Sequence, residues 1–210
     1  MIDLLIEVIL AYLLGSVSGS MVLGALRHVD IRKSGSGNAG GTNAFRTQGF
    51  WFALGVVVID IGKGALAAAW IPGLGLAAQG QPVSLEVQSL ACGFAAVVGH
   101  CYPVWYGFRG GKGAATAVGA LAVIEPAVLL PMIATWLLVL VLTGWVGLAT
   151  MLAACGLIPV FIWLGVSPPV LWFGILLAVF IVIMHRSNIV NMLNGSEYKF
   201  QKIRIINWFR

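Results

Sequence analysis

The sequence predicts an all-α polytopic membrane protein with seven transmembrane helices, its N-terminus outside and its C-terminus cytoplasmic. Three observations carry that expectation. Hydrophobic residues make up 60% of the 210 residues and charged ones only 9%, with mean hydropathy +0.99, whereas a soluble domain carries about 25% charged residues. The apolar residues come in runs of about 17–25, the length that crosses a bilayer as a helix. Finally, eleven of the twelve Lys and Arg fall in segments that an odd number of spans gathers on one side, as the positive-inside rule requires of the cytoplasmic face.

The first apolar run covers roughly 2–26. Asp3 and Glu7 lie near its start and the first basic residue, Arg27, follows it. A secretory signal peptide has the opposite flank, so a retained helix with its N-terminus outside is expected. Gly15 and Gly19, and Ser16 and Ser20, stand four apart, a spacing that suits close helix packing. The second span is roughly 51–71, between Trp51 and Trp70, and an uncharged loop covers 72–85. The third, roughly 86–106, ends in the aromatic belt Tyr102-Pro103-Val104-Trp105-Tyr106. The apolar stretch 114–143 is long for one span and short for two. Pro126 disfavours helix at Glu125, which splits it into 114–124 and 127–143. The last two spans are roughly 145–165 and 170–185, joined by Val166-Ser167-Pro168-Pro169 and followed by a basic tail, 186–210. So little polar chain remains that a single integral-membrane domain, 1–210, is expected. Cys92, Cys101 and Cys155 are read as small core residues, since their number is odd and no metal spacing appears.

The polar interruptions carry the chemistry. The longest is Ser34-Gly35-Ser36-Gly37-Asn38-Ala39-Gly40-Gly41-Thr42-Asn43-Ala44-Phe45-Arg46, preceded by Arg32 and Lys33. Glycines let successive N–H groups converge on one point, and such a nest beside guanidinium and ammonium groups binds anions, phosphate above all. A flexible loop is the plainer alternative, but Gly/Ser alone serves for that; paired Asn and Thr point to defined hydrogen bonds. A second signal is Arg109-Gly110-Gly111-Lys112-Gly113 opening a helix, with Thr116 in its first turn. It is not a Walker A motif, because the upstream glycine spacing and the Lys-Ser/Thr step are absent. His185-Arg186-Ser187-Asn188 ends the last span. Lys63, the one basic residue inside a span, follows Asp60 by three and can pair with it; a structural pair and a catalytic one both fit. His100, near the aromatic belt, is read first as a buried hydrogen-bonding group. No Gly-x-Ser-x-Gly elbow and no His-x4-Asp acyltransferase signature occurs, and no metal site is expected.

Taken together these motifs resemble the bacterial acyl-phosphate:glycerol-3-phosphate acyltransferase family, PlsY. The resemblance rests on Gly15-Ser16; on Gly35-Ser36-Gly37-Asn38, Gly40, Thr42-Asn43 and Arg46; on Asp60 and Lys63-Gly64; on Gly99-His100, Pro103-Val104, Phe108 to Gly113 and Ala115-Thr116; and on His185, Asn188-Ile189, Gly195 and Glu197. The chain departs from the family pattern in Arg109 where lysine is common, in Asn191 where arginine is common, and in Ser18-Gly19-Ser20 in place of a Pro-containing turn. The resemblance implies a seven-helix enzyme of the bacterial cytoplasmic (inner) membrane with its active site facing the cytoplasm. It implies transfer of a fatty acyl group from acyl phosphate to the 1-hydroxyl of sn-glycerol 3-phosphate, giving lysophosphatidic acid, at the start of phospholipid synthesis. Ser36, His185, Asn188 and Lys112 then stand as catalytic residues. Gly37, Asn38, Gly40, Thr42, Asn43, Arg46, Arg109, Gly110, Gly111, Gly113 and Thr116 stand as phosphate ligands, with Asp60, Lys63 and His100 in support.

The residues fit that chemistry. Two substrate phosphates meet two glycine-rich basic loops, and no Ser-His-Asp set calls for an acyl-enzyme, so direct transfer is expected. The proton acceptor is either His185 or a substrate phosphate oxygen. No cofactor, nucleic acid or obligate protein partner is expected; the partners are the two substrates and membrane lipid. A small transporter of organic phosphate is the rival, but transporter sites lie near the midplane between repeated halves, and no repeat is present. In a cysteine-free background, cysteines at Ser34 and Ser196 should resist a membrane-impermeant thiol reagent on intact cells while one at Gln81 reacts; labelling of the first two overturns the topology.

Overall fold

The computed structural model describes residues 2–74 and 83–201. Gln81 and the basic residues Lys202, Arg204 and Arg210 lie outside the described residues. Every regular element described is helical, and the chain divides into two compact units, Met1–Pro126 and Ala127–Arg210.

The first unit holds six helices: α1 Ile2–Gly15, α2 Gly19–Leu26, α3 Gly41–Gln48, α4 Phe50–Trp70, α5 Leu85–Cys101 and α6 Ala114–Ile124. The second holds five: α7 Leu129–Thr143, α8 Val146–Cys155, α9 Leu157–Leu164, α10 Pro168–Met184 and α11 Arg186–Leu193. Four stretches, Phe50–Trp70, Leu85–Tyr106, Pro126–Thr143 and Val146–Leu164, are long and apolar enough to cross a membrane, and the bent pairs α1/α2 and α10/α11 raise the number to six. Helix α6, at 11 residues, is only about 16 Å long by the rise of an α-helix. It stops at Glu125, as Pro126 predicts, and a short 3-10 turn, Pro126–Val128, leads into α7.

The first apolar run is not one continuous helix. It breaks at Ser16–Ser18 and bends by 43°. Gly15 and Gly19 therefore do not form one packing face. A Cβ at Gly15 would meet the Ala96 backbone on α5, and one at Gly19 would lie 2.8 Å from the Val56 carbonyl oxygen on α4. Likewise the last span bends by 52° at His185, so that the tail begins as helix α11. Cys92 and Cys101 are buried as expected, but Cys155 is exposed at the end of α8, where the chain turns through Gly156 into α9.

Within the first unit the main crossings are α4 on α6 and α1 on α5. Both are built from reciprocal glycines. Gly64 of α4 faces the Thr116 backbone of α6, and Gly119 of α6 faces the Ile61 carbonyl of α4; Gly15 of α1 faces Ala96, and Gly99 of α5 faces the Tyr12 carbonyl. In lipid, where apolar side chains gain little by meeting one another, such backbone approach is the main source of helix association. In the second unit α8 packs against α7 and α10, with Phe161 and Leu177 fully buried. Three tryptophans point outward: Trp51 is 77% exposed, Trp70 75% and Trp163 82%.

Gly119→Ala should therefore destabilise the protein by ~1–3 kcal/mol, as overpacking does, and lower the thermal midpoint in detergent. Gly62→Ala on the same α4/α6 pair is the control, because a Cβ there meets nothing within 4 Å. Equal midpoints for the two variants contradict the reciprocal-glycine crossing.

Candidate functional site

The glycine-rich segment between α2 and α3 is an ordered structure folded around one side chain. Asn43, 1% exposed, lies in the first turn of α3. Its Oδ1 accepts the Ser36 N–H at 2.9 Å, and its amide nitrogen donates to the carbonyls of Ile31 (3.0 Å), Ser34 (3.1 Å) and Asn38 (3.0 Å). This wraps residues 31–38 around the start of α3. Gly35 and Gly37 have φ of +60° and +71°, which glycine adopts without the Cβ penalty. A Cβ at Gly35 would also strike Asn43 Oδ1. Gly40 is the N-cap of α3, leaving Gly41 and Thr42 to open the helix. Ser36 and Gly37 are exposed, Asn38, Gly40, Thr42 and Arg46 half-buried. Arg46 lies one turn along α3, so its guanidinium belongs to the helix whose first turn carries the nest.

The Arg109 loop closes on the end of α5. Gly110 N–H donates to the Cys101 carbonyl at 3.2 Å and Gly111 N–H to the His100 carbonyl at 3.1 Å. The Gly111 backbone lies against the His100 imidazole, with no room for a Cβ. Gly113 has φ +87° and is the N-cap of α6. Arg109 is exposed and Lys112 half-buried, whereas Thr116 is fully buried and its backbone abuts Gly64. The Thr116 hydroxyl has no hydrogen-bond partner among the described residues.

A clip not foreseen from the sequence joins the two loops. Asp30 grips Arg32 through Nε (3.0 Å) and Nη2 (2.9 Å), and caps its N–H at 3.0 Å. Arg32 Nη1 then donates to the carbonyls of Tyr106 (3.1 Å) and Arg109 (3.2 Å). Arg32, read only as a flanking charge, is thus the bridge between the loops. The side-chain hydrogen bonds from Arg32 hold the Asp30 carboxyl below the usual carboxylate range; partial burial opposes this, and the Arg32 N–H and the charges of Arg32 and Lys33 add to it. The same hydrogen bonds raise the Arg32 pKa.

Beneath both loops lie Asp60, Lys63 and His100, 1%, 3% and 3% exposed. Asp60 Oδ1 is 3.1 Å from Lys63 Nζ and 3.5 Å from His100 Nδ1, and it accepts the Gly19 N–H at 3.1 Å. Lys63 donates to the Val17 carbonyl at 2.7 Å.

In the second unit His185 is buried at the bend between α10 and α11. Its Nδ1 is 2.8 Å from the Ile181 carbonyl. A carbonyl only accepts, so Nδ1 carries the proton in that contact. Asn188 donates its amide N–H to Glu197 at 2.7 Å, and Gly147 of α8 lies against the Asn188 side chain. Glu197 reaches Asn188 only because the chain turns back at Gly195, φ +71°, a partnership that the motif spacing does not show.

These features define a helical membrane protein whose first unit presents two ordered, cross-linked glycine loops with arginine and lysine among them, a surface suited to phosphate groups. A family model described as glycerol-3-phosphate acyltransferase matches residues 5–195, and the chain belongs to that family. It is 38% identical to a glycerol-3-phosphate acyltransferase of Symbiobacterium thermophilum over 197 residues, 94% of each chain. It is 40% identical to one of Geobacillus kaustophilus over 192 residues, 91% of this chain and 93% of the relative. A Chlorobaculum tepidum relative is 44% identical over 145 residues, 66% of this chain and 61% of its own length. Among solved structures, PlsY (YgiH), an integral membrane glycerol 3-phosphate acyltransferase, matches in its glycerol 3-phosphate form with TM-score 0.83 and 35% identity over 94% of this chain and 95% of that one. Its lysophosphatidic acid form matches with TM-score 0.83 and 33% identity over 99% of each.

The Asp30–Arg32 clip sets a pH dependence. Because the folded pKa of Asp30 is depressed, its stabilisation is present above the unfolded carboxylate value of about 3.9 and is lost as pH falls through the lower folded value. The thermal midpoint of wild type should exceed that of Asp30→Asn at neutral pH, and the gap should close only below about pH 4. A gap that is absent at pH 7 removes the clip as a stabilising contact.

Proposed function

We propose that the protein transfers an acyl group from acyl phosphate to the 1-hydroxyl of glycerol 3-phosphate. The observation that carries this reading is the pair of glycine loops, each with basic side chains, tied together by Arg32, for a reaction whose two substrates each bear a phosphate. Membership of an acyltransferase family supports the acyl transfer, and the glycerol 3-phosphate and lysophosphatidic acid forms of PlsY support acceptor and product. The absent His-x4-Asp signature supports an acyl-phosphate donor. Polar loops too short to build a nucleotide domain or a broad carrier-protein dock support it as well.

The acceptor hydroxyl oxygen attacks the acyl carbon, and the bond from that carbon to the phosphate oxygen breaks, releasing inorganic phosphate and lysophosphatidic acid. An acyl phosphate is an activated anhydride, so the leaving group needs charge neutralisation more than protonation. Arg46, Arg109 and Lys112 supply positive charge. The N–H groups of Gly37, Gly110 and Gly111 already go to the carbonyls of Ser34, Cys101 and His100, so these glycines act by shaping the loops; the N–H groups of Asn38, Gly40 and Gly113, with the Thr42 and Ser36 hydroxyls, supply donors. Asn43 acts through the loop that it folds rather than through the substrate, and buried Thr116 acts by seating α6. The hydroxyl proton passes to a substrate phosphate oxygen. The family model runs through both units, residues 5–195, which supports one acyltransferase domain over 1–210.

For topology we propose seven crossings in a bacterial cytoplasmic membrane, with α6 as the shortened one, the N-terminus outside and the loops and tail cytoplasmic. The support is charge: eleven of twelve Lys and Arg then share the cytoplasmic side, as the positive-inside rule demands. Purified protein supplied with radiolabelled glycerol 3-phosphate and each donor in turn tests the activity. Inorganic phosphate should appear in step with lysophosphatidic acid for acyl phosphate only. Comparable turnover with a thioester donor refutes the donor assignment, and accumulation in vesicles without lipid product favours a transporter.

A further inference from the structure

We propose that Asp60 is a positioning residue that sets the relative placement of the two glycine loops without touching substrate; the proposal rests on the acyl-transfer reading above. The break between α1 and α2 deprives backbone groups of helical partners, and buried orphans of that kind are costly in a membrane. The ion pair takes up two of them. Asp60 accepts the Gly19 N–H and Lys63 donates to the Val17 carbonyl. The two side chains meet within α4 at 3.1 Å, and each also takes one backbone group of the break.

The bend leads directly to the first loop. One residue beyond Gly19, Ser20 donates its hydroxyl to the Ala39 carbonyl at 2.8 Å and stands 3.1 Å from the Ser18 hydroxyl. Ala39 and Ser20 are fully buried, so this contact pins the underside of the segment 34–41. On its other flank Asp60 faces His100, whose ring supports Gly111 and whose carbonyl takes the Gly111 N–H. Asp60 Oδ1 is therefore within 3.5 Å of groups leading to both loops. Arg32 ties the loops at the surface and Asp60 ties them from below.

Four proteins test the strut: wild type, Asp60→Asn, Asp60→Asn/Lys63→Gln and Ser20→Ala. Asparagine keeps an acceptor for Gly19 but leaves Lys63 as an uncompensated charge. The double variant is neutral and keeps both an acceptor for Gly19 and a donor for Val17. With activity normalised to folded, monodisperse protein, Asp60→Asn should lose on the order of a hundredfold in kcat/KM, the scale of an ~1 Å misplacement, and the double variant should recover most of it. Ser20→Ala should raise the KM for at least one of the two phosphate substrates in protein that remains folded and monodisperse. Wild-type kinetics in folded Asp60→Asn, a folded but inactive double variant, or unchanged KM values in Ser20→Ala each overturn the proposal. A readout free of substrate separates it from the functional reading. In a cysteine-free background, a cysteine at Ser34 should react faster with a small thiol reagent in Asp60→Asn than in wild type, and return to the wild-type rate in the double variant. An unchanged rate overturns the strut even if the enzyme is active; the expected rates with no turnover in wild type leave the strut standing and refute the acyl-transfer reading instead.

Discussion

The ion pair of Asp60 and Lys63 at the break between α1 and α2 is the interaction on which the first unit depends. A membrane helix satisfies its backbone internally, and a break within a span leaves polar groups that lipid cannot serve. Here the Val17 carbonyl and the Gly19 N–H are taken by the two members of the pair. Each charge thereby gains a partner that offsets part of its desolvation. The break is what lets the chain leave the α1 direction, pack α2 on α4 and deliver the glycine loop above the pair. Neither the bend nor the buried charges would be tolerable alone.

That arrangement requires helix axes close enough for backbone groups to be reached by short side chains. The reciprocal glycines supply this. Gly64 and Gly119 bring α4 and α6 together, and Gly15 and Gly99 do the same for α1 and α5. On α4 Asp60 sits one turn before Gly64 and Lys63 directly before it, and His100 follows Gly99 on α5. The tight crossings and the polar cluster are thus the same region of structure, with glycine providing proximity and the ion pair using it.

Above the cluster the loops are held by hydrogen bonds of their own. In the proposed direct transfer, a reaction that relies on positioned donors gains only as much as its donors are held in advance. Asn43 spends its whole amide on backbone, and Asp30 and Arg32 spend theirs on each other and on the facing loop. The exposed groups, Ser36, Gly37 and Arg109, stand on a frame whose own hydrogen bonds are already made.

The sequence by itself determined the helical membrane class, the positions of the apolar segments, the stop at Glu125-Pro126 and the two glycine loops. All of these follow from local properties: hydropathy over a span, the steric demand of proline, and the φ freedom of glycine. The order of the motifs also carried the family. Only the tertiary structure decided that the first span is broken, because Gly15-x-x-x-Gly19 reads equally as one face of a straight helix and as the two sides of a bend. Only it showed what Asp60 and Lys63 hold, since their partners Gly19 and Val17 are backbone groups more than forty residues away and backbone carries no sequence signal. The same holds for Asn43 as the centre of its loop, for Arg32 as a bridge to the carbonyls of Tyr106 and Arg109, and for Asn188 as the partner of Glu197. Spacing can say which side chains lie near one another along a helix; it cannot say which carbonyl a guanidinium will find after the chain has crossed the membrane and returned.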